Sequence, residues 1–345
     1  MTTSDDKTAL YTVSSSPHAH SGASVPCIMF DVLVALTPAL LAAVYFFGFD
    51  AVRLVAVCVA SCVGAEALCR KAMGRPVKAA LADLSAVVTG LLLAFNLPPS
   101  LPSWMAVLGS VFAIGIAKQA FGGLGYNPFN PALAGRAFLL ISFTGRMTAW
   151  HAARLPERWS FGGLTMDALT SATPLGMVKD AIKAGDPLPV AMDGATTLRF
   201  LLGDMGGCLG EVSALALLLG GAYLLARRCI SWHVPVCYLG TVALFSGIHW
   251  AANPAAAMPP HFHLLTGGLM LGAWFMATDM VTTPVTNKGL VVFGIGCGVL
   301  TMTIRIVAGG AYPEGVSFAI LLMNAVVPLI NRATRPRLFG QRRKA

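Results

Sequence analysis

The sequence predicts an all-α polytopic membrane protein of about ten transmembrane helices, arranged as two inverted five-helix repeats with broken or re-entrant elements. Three observations carry this. First, 56% of the 345 residues are hydrophobic and only 11% are charged, whereas a soluble domain carries about 25% charged residues. Second, ten apolar runs follow one another: Met29 to Phe47, Ala51 to Leu68, Leu84 to Leu97, Trp104 to Phe121, Ala132 to Phe143, Val212 to Leu225, Val234 to Ala252, Leu264 to Met280, Leu290 to Val307 and Val316 to Ile330. Third, motifs of the first half return in the second in the same order.

In chain order, residues 1–27 form a polar tail rich in Ser and Thr, without the apolar stretch after a basic start that marks a signal peptide. Residues 28–143 hold the first five runs, 144–211 a long connection, 212–330 the second five, and 331–345 a basic tail. A full span needs about 20 residues to cross ~30 Å of hydrocarbon, so the third, fifth, sixth and tenth runs are short. They must use flanking polar residues, tilt, or irregular backbone buried in protein.

Charge sets the orientation. Lys plus Arg is 24 and Asp plus Glu 15, a net +9, but the basic residues fall between apolar runs rather than on one exposed face. That pattern points to membrane topology and away from nucleic acid. With an even number of spans both termini share a side, and the last stretch holds Arg332, Arg335, Arg337, Arg342, Arg343 and Lys344. The same side receives Lys7, Arg70, Lys71, Arg75, Lys78, Lys118, Arg227, Arg228 and Lys288, while the short connections opposite hold only Arg53. The basic side is expected to be cytoplasmic, which turns Thr144 to Glu211 outward. The eight cysteines contain no CxxC and no zinc-like Cys/His spacing, and read as small core residues.

The repeat signal is specific in its order. Thr89-Gly90-Leu91 is echoed by Thr266-Gly267-Gly268-Leu269, and Lys118 with Gly122-Gly123 and Tyr126-Asn127-Pro128 by Arg305 with Gly309-Gly310 and Tyr312-Pro313. Five spans per half invert one copy, the plan that puts a binding or translocation site near mid-membrane at the repeat interface. The turn from Gly122 to Pro131 breaks any helix and frees carbonyls, so it reads either as a re-entrant element at a cofactor or ion path or as an ordinary cytoplasmic turn. Its partner, Gly309 to Gly315, carries Glu314.

Charges in or beside the spans are Asp31, Glu66, Asp83, Arg136, Asp279 and Arg305. Isolated charges at depth are functional suspects. Asp31 and Asp83 also suit helix N-termini, Asp279 ends a run, and Glu66 stands at i to i+4 from Arg70, spacing for a simple pair. Glu66, Asp279, Asn127 and Asn130 are the ion-path candidates.

The outward connection contains Asp167-Ala168-Leu169-Thr170-Ser171-Ala172-Thr173-Pro174-Leu175. Pro174 holds Thr173 extended, which presents its hydroxyl. By composition alone this is a hydroxyl-rich surface turn.

The Asp-x-x-Thr-x-Ala-Thr-Pro-Leu motif, the Lys118-Gln119-x-Phe121-Gly122-Gly123-Leu124-Gly125-x-Asn127-Pro128-Phe129-Asn130-Pro131-Ala132 stretch, and Tyr312-Pro313-x-Gly315-Val316-x-Phe318-Ala319 resemble the D component of the Rnf electron-transport complexes. More distantly the chain is similar to the B component of the sodium-pumping NADH:quinone reductases. The resemblance runs from about Ser16 to Gly340. It implies that Thr173 carries FMN as a phosphodiester, attached by a separate flavin transferase that uses FAD, with Asp167, Thr170, Ser171 and Ala172 completing the motif. Gly207 and Glu211, where the connection re-enters the membrane, either admit the isoalloxazine closely or form a Gly-rich re-entry without flavin contact. A second, non-covalent flavin such as riboflavin is a further possible cofactor, and no metal site is expected.

The resemblance further implies a bacterial inner-membrane protein that works with the A, B, C, E and G components of the Rnf complex. It would relay electrons between ferredoxin and NAD through the FMN and couple them to Na⁺ or H⁺ movement. The FMN-bearing segment would face the periplasm. No nicotinamide fingerprint is present, so NADH and ferredoxin fall to partners. Three departures stand out: Ala168 where Gly is usual, Met280 where Pro follows the Asp, and a decoy at Asp193-Gly194-Ala195-Thr196-Thr197 with Arg199 at the attachment position. The rival reading is a passive channel or carrier for a small solute on the related urea-channel plan.

Overall fold

The computed structural model describes residues 24–150, 173–184, 186, 192–203, 205–211, 213–254, 257–307 and 315–336. Among the described residues every regular element is helical. Among the described residues, five helices are long and apolar enough to cross a membrane. They are α1 (Val25–Phe47), α2 (Phe49–Ala72), α11 (His233–Ala252), α14 (Asn287–Val307) and α15 (Val316–Thr334). Between α2 and α11 lie α3 (Val77–Leu81), α4 (Ser85–Phe95), α5 (Ser103–Val111), α6 (Pro131–Ser142), α7 (Thr144–Met147), α8 (Pro174–Ala184), α9 (Gly194–Leu202) and α10 (Ala214–Ala226). Between α11 and α14 lie α12 (Pro260–Leu265) and α13 (Leu269–Leu271). Two helices continue in π geometry, α5 through Phe112–Gln119 and α13 through Gly272–Met276.

All ten apolar runs are helical over most of their length, and the short ones show why they are short. α4 is buried on every face from Val88 to Phe95, which its all-round apolar sequence allows only at the centre of a bundle. It stops at Asn96, and Leu97 to Pro102 run on without helix. The eighth run is broken at Thr266 to Gly268, where Gly267 and Gly268 take φ of +71° and +66°. Only glycine adopts that conformation without strain.

The two halves repeat the same contacts. α2 packs on α4 and α5 in the first half, and α11 packs on α12 and α14 in the second. Each approach relies on missing side chains. A Cβ on Gly90 would lie 2.7 Å from the α2 backbone at Val59, and Gly294 and Gly298 meet the α11 backbone at Val234 and Tyr238. Small residues at four-residue spacing allow helices to close on each other in lipid, where no hydrophobic force drives association. α1 and α10 close the same way: a Cβ on Gly220 would fall 2.0 Å from the Ala35 carbonyl oxygen.

Local signals explain the ends. Pro131 starts α6 under an Asn130 cap whose side chain accepts from Ala132 N and Leu133 N. Ser213 caps α10 through Ala216 N. Four cysteines (Cys58, Cys62, Cys208 and Cys297) are buried, and all eight are free thiols.

Candidate functional site

Three polar groupings stand out among the described residues. The first joins α2, α4 and α5. Glu66 is fully buried and pairs with Lys118, not with Arg70: Lys118 Nζ donates to Oε1 at 3.0 Å and Oε2 at 2.8 Å, and Gln119 Nε2 donates to Oε1 at 2.7 Å. The i to i+4 expectation fails because that turn of α2 faces the core at Glu66, while Arg70 lies against the Gly123 turn. Two consecutive residues reach one carboxylate because they end a π segment. Its wider turn leaves successive side chains closer in direction than in an α-helix. Lys118 also donates to Ser85 Oγ at 2.7 Å, and Ser85 donates to Asp83 Oδ1 at 2.6 Å. Asp83 thus sits at the α4 N-terminus, where the dipole favours it.

The second grouping lines a cavity at the end of the bundle where α1 begins and α10 ends. Its polar wall is Ser85, Lys118, Asn127, Asn130 and Asp279. Three of the four ion-path candidates therefore share one cavity, and the fourth, Glu66, is bonded to its Lys118. Asp279 is half-buried and accepts from Val281 N at 3.3 Å and Thr282 Oγ1 at 3.2 Å. Asn130 Nδ2 donates to Met276 O at 3.3 Å, which ties the first half to the π end of the second. In the amide orientation that satisfies its neighbours, Asn324 accepts from Asn130 N and donates to Thr282 O, each at 3.2 Å. Asn127 Nδ2 bonds Phe129 O at 3.0 Å, while its buried Oδ1 has no partner among the described residues.

Asp31 belongs to none of these. It lies in the second turn of α1, not at its first residue, and accepts from Tyr223 Oη at 3.0 Å and Arg227 Nη2 at 3.2 Å on α10 and its C-cap. Its role is to lock α1 to α10.

The third grouping lies at the opposite end. Thr173 precedes α8, its Oγ accepting from Gly176 N at 3.1 Å and its carbonyl from Met177 N at 2.9 Å, with Pro174 as first helical residue. Thr173 is the N-cap of an amphipathic helix. Leu175 and Val178 of that helix pack with Phe200 of α9, Met205, Met258 and Phe262 of α12 in a small core separate from the main one. Asp167, Thr170, Ser171 and Ala172 lie outside the described residues, as does Glu314. The decoy Asp193 is a helix cap, accepting from Thr196 N at 2.8 Å. Those bonds to Thr196 hold its carboxyl below the usual range.

The re-entry segment joins these parts. Leu209 N and Gly210 N donate to Leu97 O at 3.2 Å and Phe95 O at 2.8 Å, so this piece pairs with the unwound end of α4. Gly207 and Gly268 both leave room for the Glu211 carboxylate, since a Cβ on either would stand 2.8 Å and 3.1 Å from its oxygens. Glu211 is buried beside Gly268, the N-cap of α13. Arg136, 2% exposed, donates to Asn96 O and, at 3.2 Å, to Asn96 Oδ1, with Cys208 Sγ at 3.3 Å. Arg305 donates to His263 O, Thr266 O and Gly267 O at 2.8, 2.9 and 3.2 Å. A Cβ on Gly267 would meet Leu175 at 3.3 Å, so the α8 helix rests on the second broken element.

Sequence reasoning missed Asn96, Ser85 and Cys208 as site residues. Nothing local marks them, because each acquires its role only from partners far along the chain. Lys118 was visible as the cation matched to Arg305 in the repeat.

Residues 12–340 match the model of the NQR2, RnfD, RnfE family. The chain belongs to that family. It is 49% identical over 331 residues to the D component of the Na⁺-translocating ferredoxin:NAD⁺ oxidoreductase complex of Acetobacterium woodii, covering 95% of each chain. It is 42% identical over 339 residues to the D component of the proton-translocating ferredoxin:NAD⁺ oxidoreductase complex of Clostridium ljungdahlii, covering 98% of each. With the D component of the ion-translocating oxidoreductase complex of Salmonella paratyphi B identity is 40% over 356 residues, covering 97% of this chain and 99% of the relative. Family members of similar identity thus differ in the ion their names give.

Proposed function

We propose that this chain is the D component of an Rnf-type ion-translocating ferredoxin:NAD oxidoreductase in the bacterial cytoplasmic membrane, and that Thr173 carries FMN through a phosphodiester. Full-length identity to relatives with such names supports the assembly, and favours it over a passive solute channel. The observation that carries the flavin reading is the position of Thr173. Its Oγ already faces the Gly176 N–H at the start of an 11-residue helix. A phosphodiester on that oxygen would place its negative charge at the positive end of α8, where free N–H groups and the dipole favour an anion. Gly176 adds no side chain to crowd it.

Bound there, FMN would supply one- and two-electron transfer. The chain's own residues do the rest. Thr173 anchors, so the cofactor stays after reduction. Pro174 fixes the direction in which the anchor leaves the helix. Leu175 and Val178 seat α8 on α12, which holds the anchor at constant height above the membrane core. Asp167, Thr170, Ser171 and Ala172 would serve recognition by the flavin transferase.

The ion path is proposed along Glu66, Asn127, Asn130 and Asp279, gathered at the cavity on the end opposite α8. Oxygen ligands suit Na⁺ and a titrating carboxylate suits H⁺; this wall offers both. A second, non-covalent flavin such as riboflavin is proposed for the same cavity, whose walls are mostly apolar and whose Asn127 Oδ1 awaits a donor. The A, B, C, E and G components are the proposed partners, with both termini cytoplasmic and α8 on the periplasmic side.

The test is in-gel flavin fluorescence with intact-protein mass spectrometry of wild type and Thr173→Val, co-expressed with a flavin transferase. Wild type should carry one FMN adduct and the variant none. Absence of the adduct from wild type in the presence of active transferase would overturn the attachment.

A further inference from the structure

Three helices end inside the bundle and leave orphan carbonyls there: α4 at Asn96, α12 at Leu265 to Gly267, and the π continuation of α13 at Met276. In membrane proteins built from broken helices, such unwound carbonyl ends coordinate the transported cation. Here the chain itself occupies all three. Arg136 donates to Asn96 O and Asn96 Oδ1, Arg305 to His263, Thr266 and Gly267 carbonyls, and the Asn130 amide to Met276 O. The two arginines come from different positions of the repeat, α6 and α14, yet meet the same kind of end.

We infer that Arg136 is a tethered cation that occupies the cation-accepting end of α4 and closes the α8-facing half of the route between the two repeats against passive Na⁺ or H⁺ leak. The inference rests on the ion-translocating reading above. A guanidinium stays charged at any working pH and matches several acceptors at once. It satisfies the carbonyl while repelling any mobile cation. The acceptors around it include Asn96 O, Asn96 Oδ1 and Cys208 Sγ, with Glu211 beside Cys208. Without the guanidinium the same set, next to a carboxylate, would take water or a monovalent cation. The other half of the route is the cavity at Asn130 and Asp279, which opens at the opposite end. The cavity wall at Leu92 and Ala132 stands one helical turn from Asn96 and Arg136, so on this inference loss of the guanidinium opens the cavity toward the α8 face.

The test uses the whole assembled complex in liposomes holding a Na⁺ indicator or a pH dye, under an ion gradient and without electron donor. Wild type and Arg136→Lys should hold the gradient. Arg136→Ala should dissipate it at least tenfold faster, and millimolar guanidinium should reseal it, since the free ion fills the vacated position. Where Arg136→Ala does not assemble alone, it is purified in guanidinium and the leak is read on dilution. An assembled Arg136→Ala complex that holds the gradient as well as wild type overturns the inference. Ferredoxin-driven uptake by wild type is measured in the same vesicles: no uptake sinks the translocation reading, whereas uptake with a tight Arg136→Ala variant sinks the plug alone.

Discussion

Lys118 and Glu66 form an ion pair sealed from solvent, with Nζ 2.8 Å from Oε2 and the two side chains 1% and 0% exposed. Lys118 and Gln119 together surround this carboxylate of α2 with donors, and Ser85 ties the lysine to α4. The pair joins two helices of the first half at the edge of the cavity.

Removing one member leaves the other as an uncompensated buried charge. Lys118→Met is expected to destabilise the protein by about 3–5 kcal/mol, and the double variant Lys118→Met with Glu66→Leu by much less, because a well-packed apolar pair replaces a desolvated one. Thermal unfolding in detergent of the single and double variants checks this. Equal losses in both would mean that the pair is not electrostatically coupled.

Leu175 seats the helix that starts after Thr173, and it is 8% exposed. Leu175→Ala should cost about 2–5 kcal/mol of local docking energy without removing the Thr173 hydroxyl proposed as the flavin attachment point. The expected result is normal flavin incorporation with faster proteolysis of α8. Loss of incorporation would show that the transferase reads the docked helix and not the extended motif.

Gly220 and Gly240 give a paired prediction. A Cβ at Gly220 collides with the Ala35 carbonyl oxygen at 2.0 Å, whereas one at Gly240 meets nothing within 4 Å. Gly220→Ala should force α1 and α10 apart and destabilise by about 1–3 kcal/mol. Gly240→Ala should be neutral or stabilise by about 0.5–1 kcal/mol, through helix propensity alone. Melting temperatures of the two variants decide between these outcomes.

Asp193 caps α9, a short helix that is not one of the long apolar helices, and its hydrogen bonds with Thr196 lower its pKa from the ordinary value. A lowered folded-state pKa means the cap stabilises above the unfolded pKa and is lost as pH falls through the folded one. Protection of the Thr196 and Thr197 amides from hydrogen exchange, relative to their intrinsic rates, should therefore fall in acid, below the usual carboxylate range. Asp193→Asn keeps a neutral cap and should show no such fall.

Much of the fold was legible because the bilayer restricts what a spanning segment can be. Apolar runs such as Leu84 to Leu97 had to be helical, whereas the break at Gly267 and Gly268 was not legible, since Gly220-Gly221 runs unbroken through α10. The repeat of Lys118 and Arg305 ahead of Gly pairs marked two cations that hold buried polar ends of the bundle. Thr173 stood out through its motif. The Glu66 partner did not, since an i to i+4 arginine offered an equally good local pair and burial chose between them.

Composition and spacing along the chain were enough for the membrane class, the succession of apolar helices, the gathering of basic residues on alternate connections and the hydroxyl motif at Thr173. Helix packing settled that Glu66 faces Lys118, that Asn130 and Asp279 line one cavity, and that Arg136 meets the end of α4 at Asn96. The reason is that a buried polar group must be satisfied, and its partners here lie from 40 residues (Arg136 to Asn96) to 146 residues (Asn130 to Met276) away in the chain, where spacing carries no information until the helices pack.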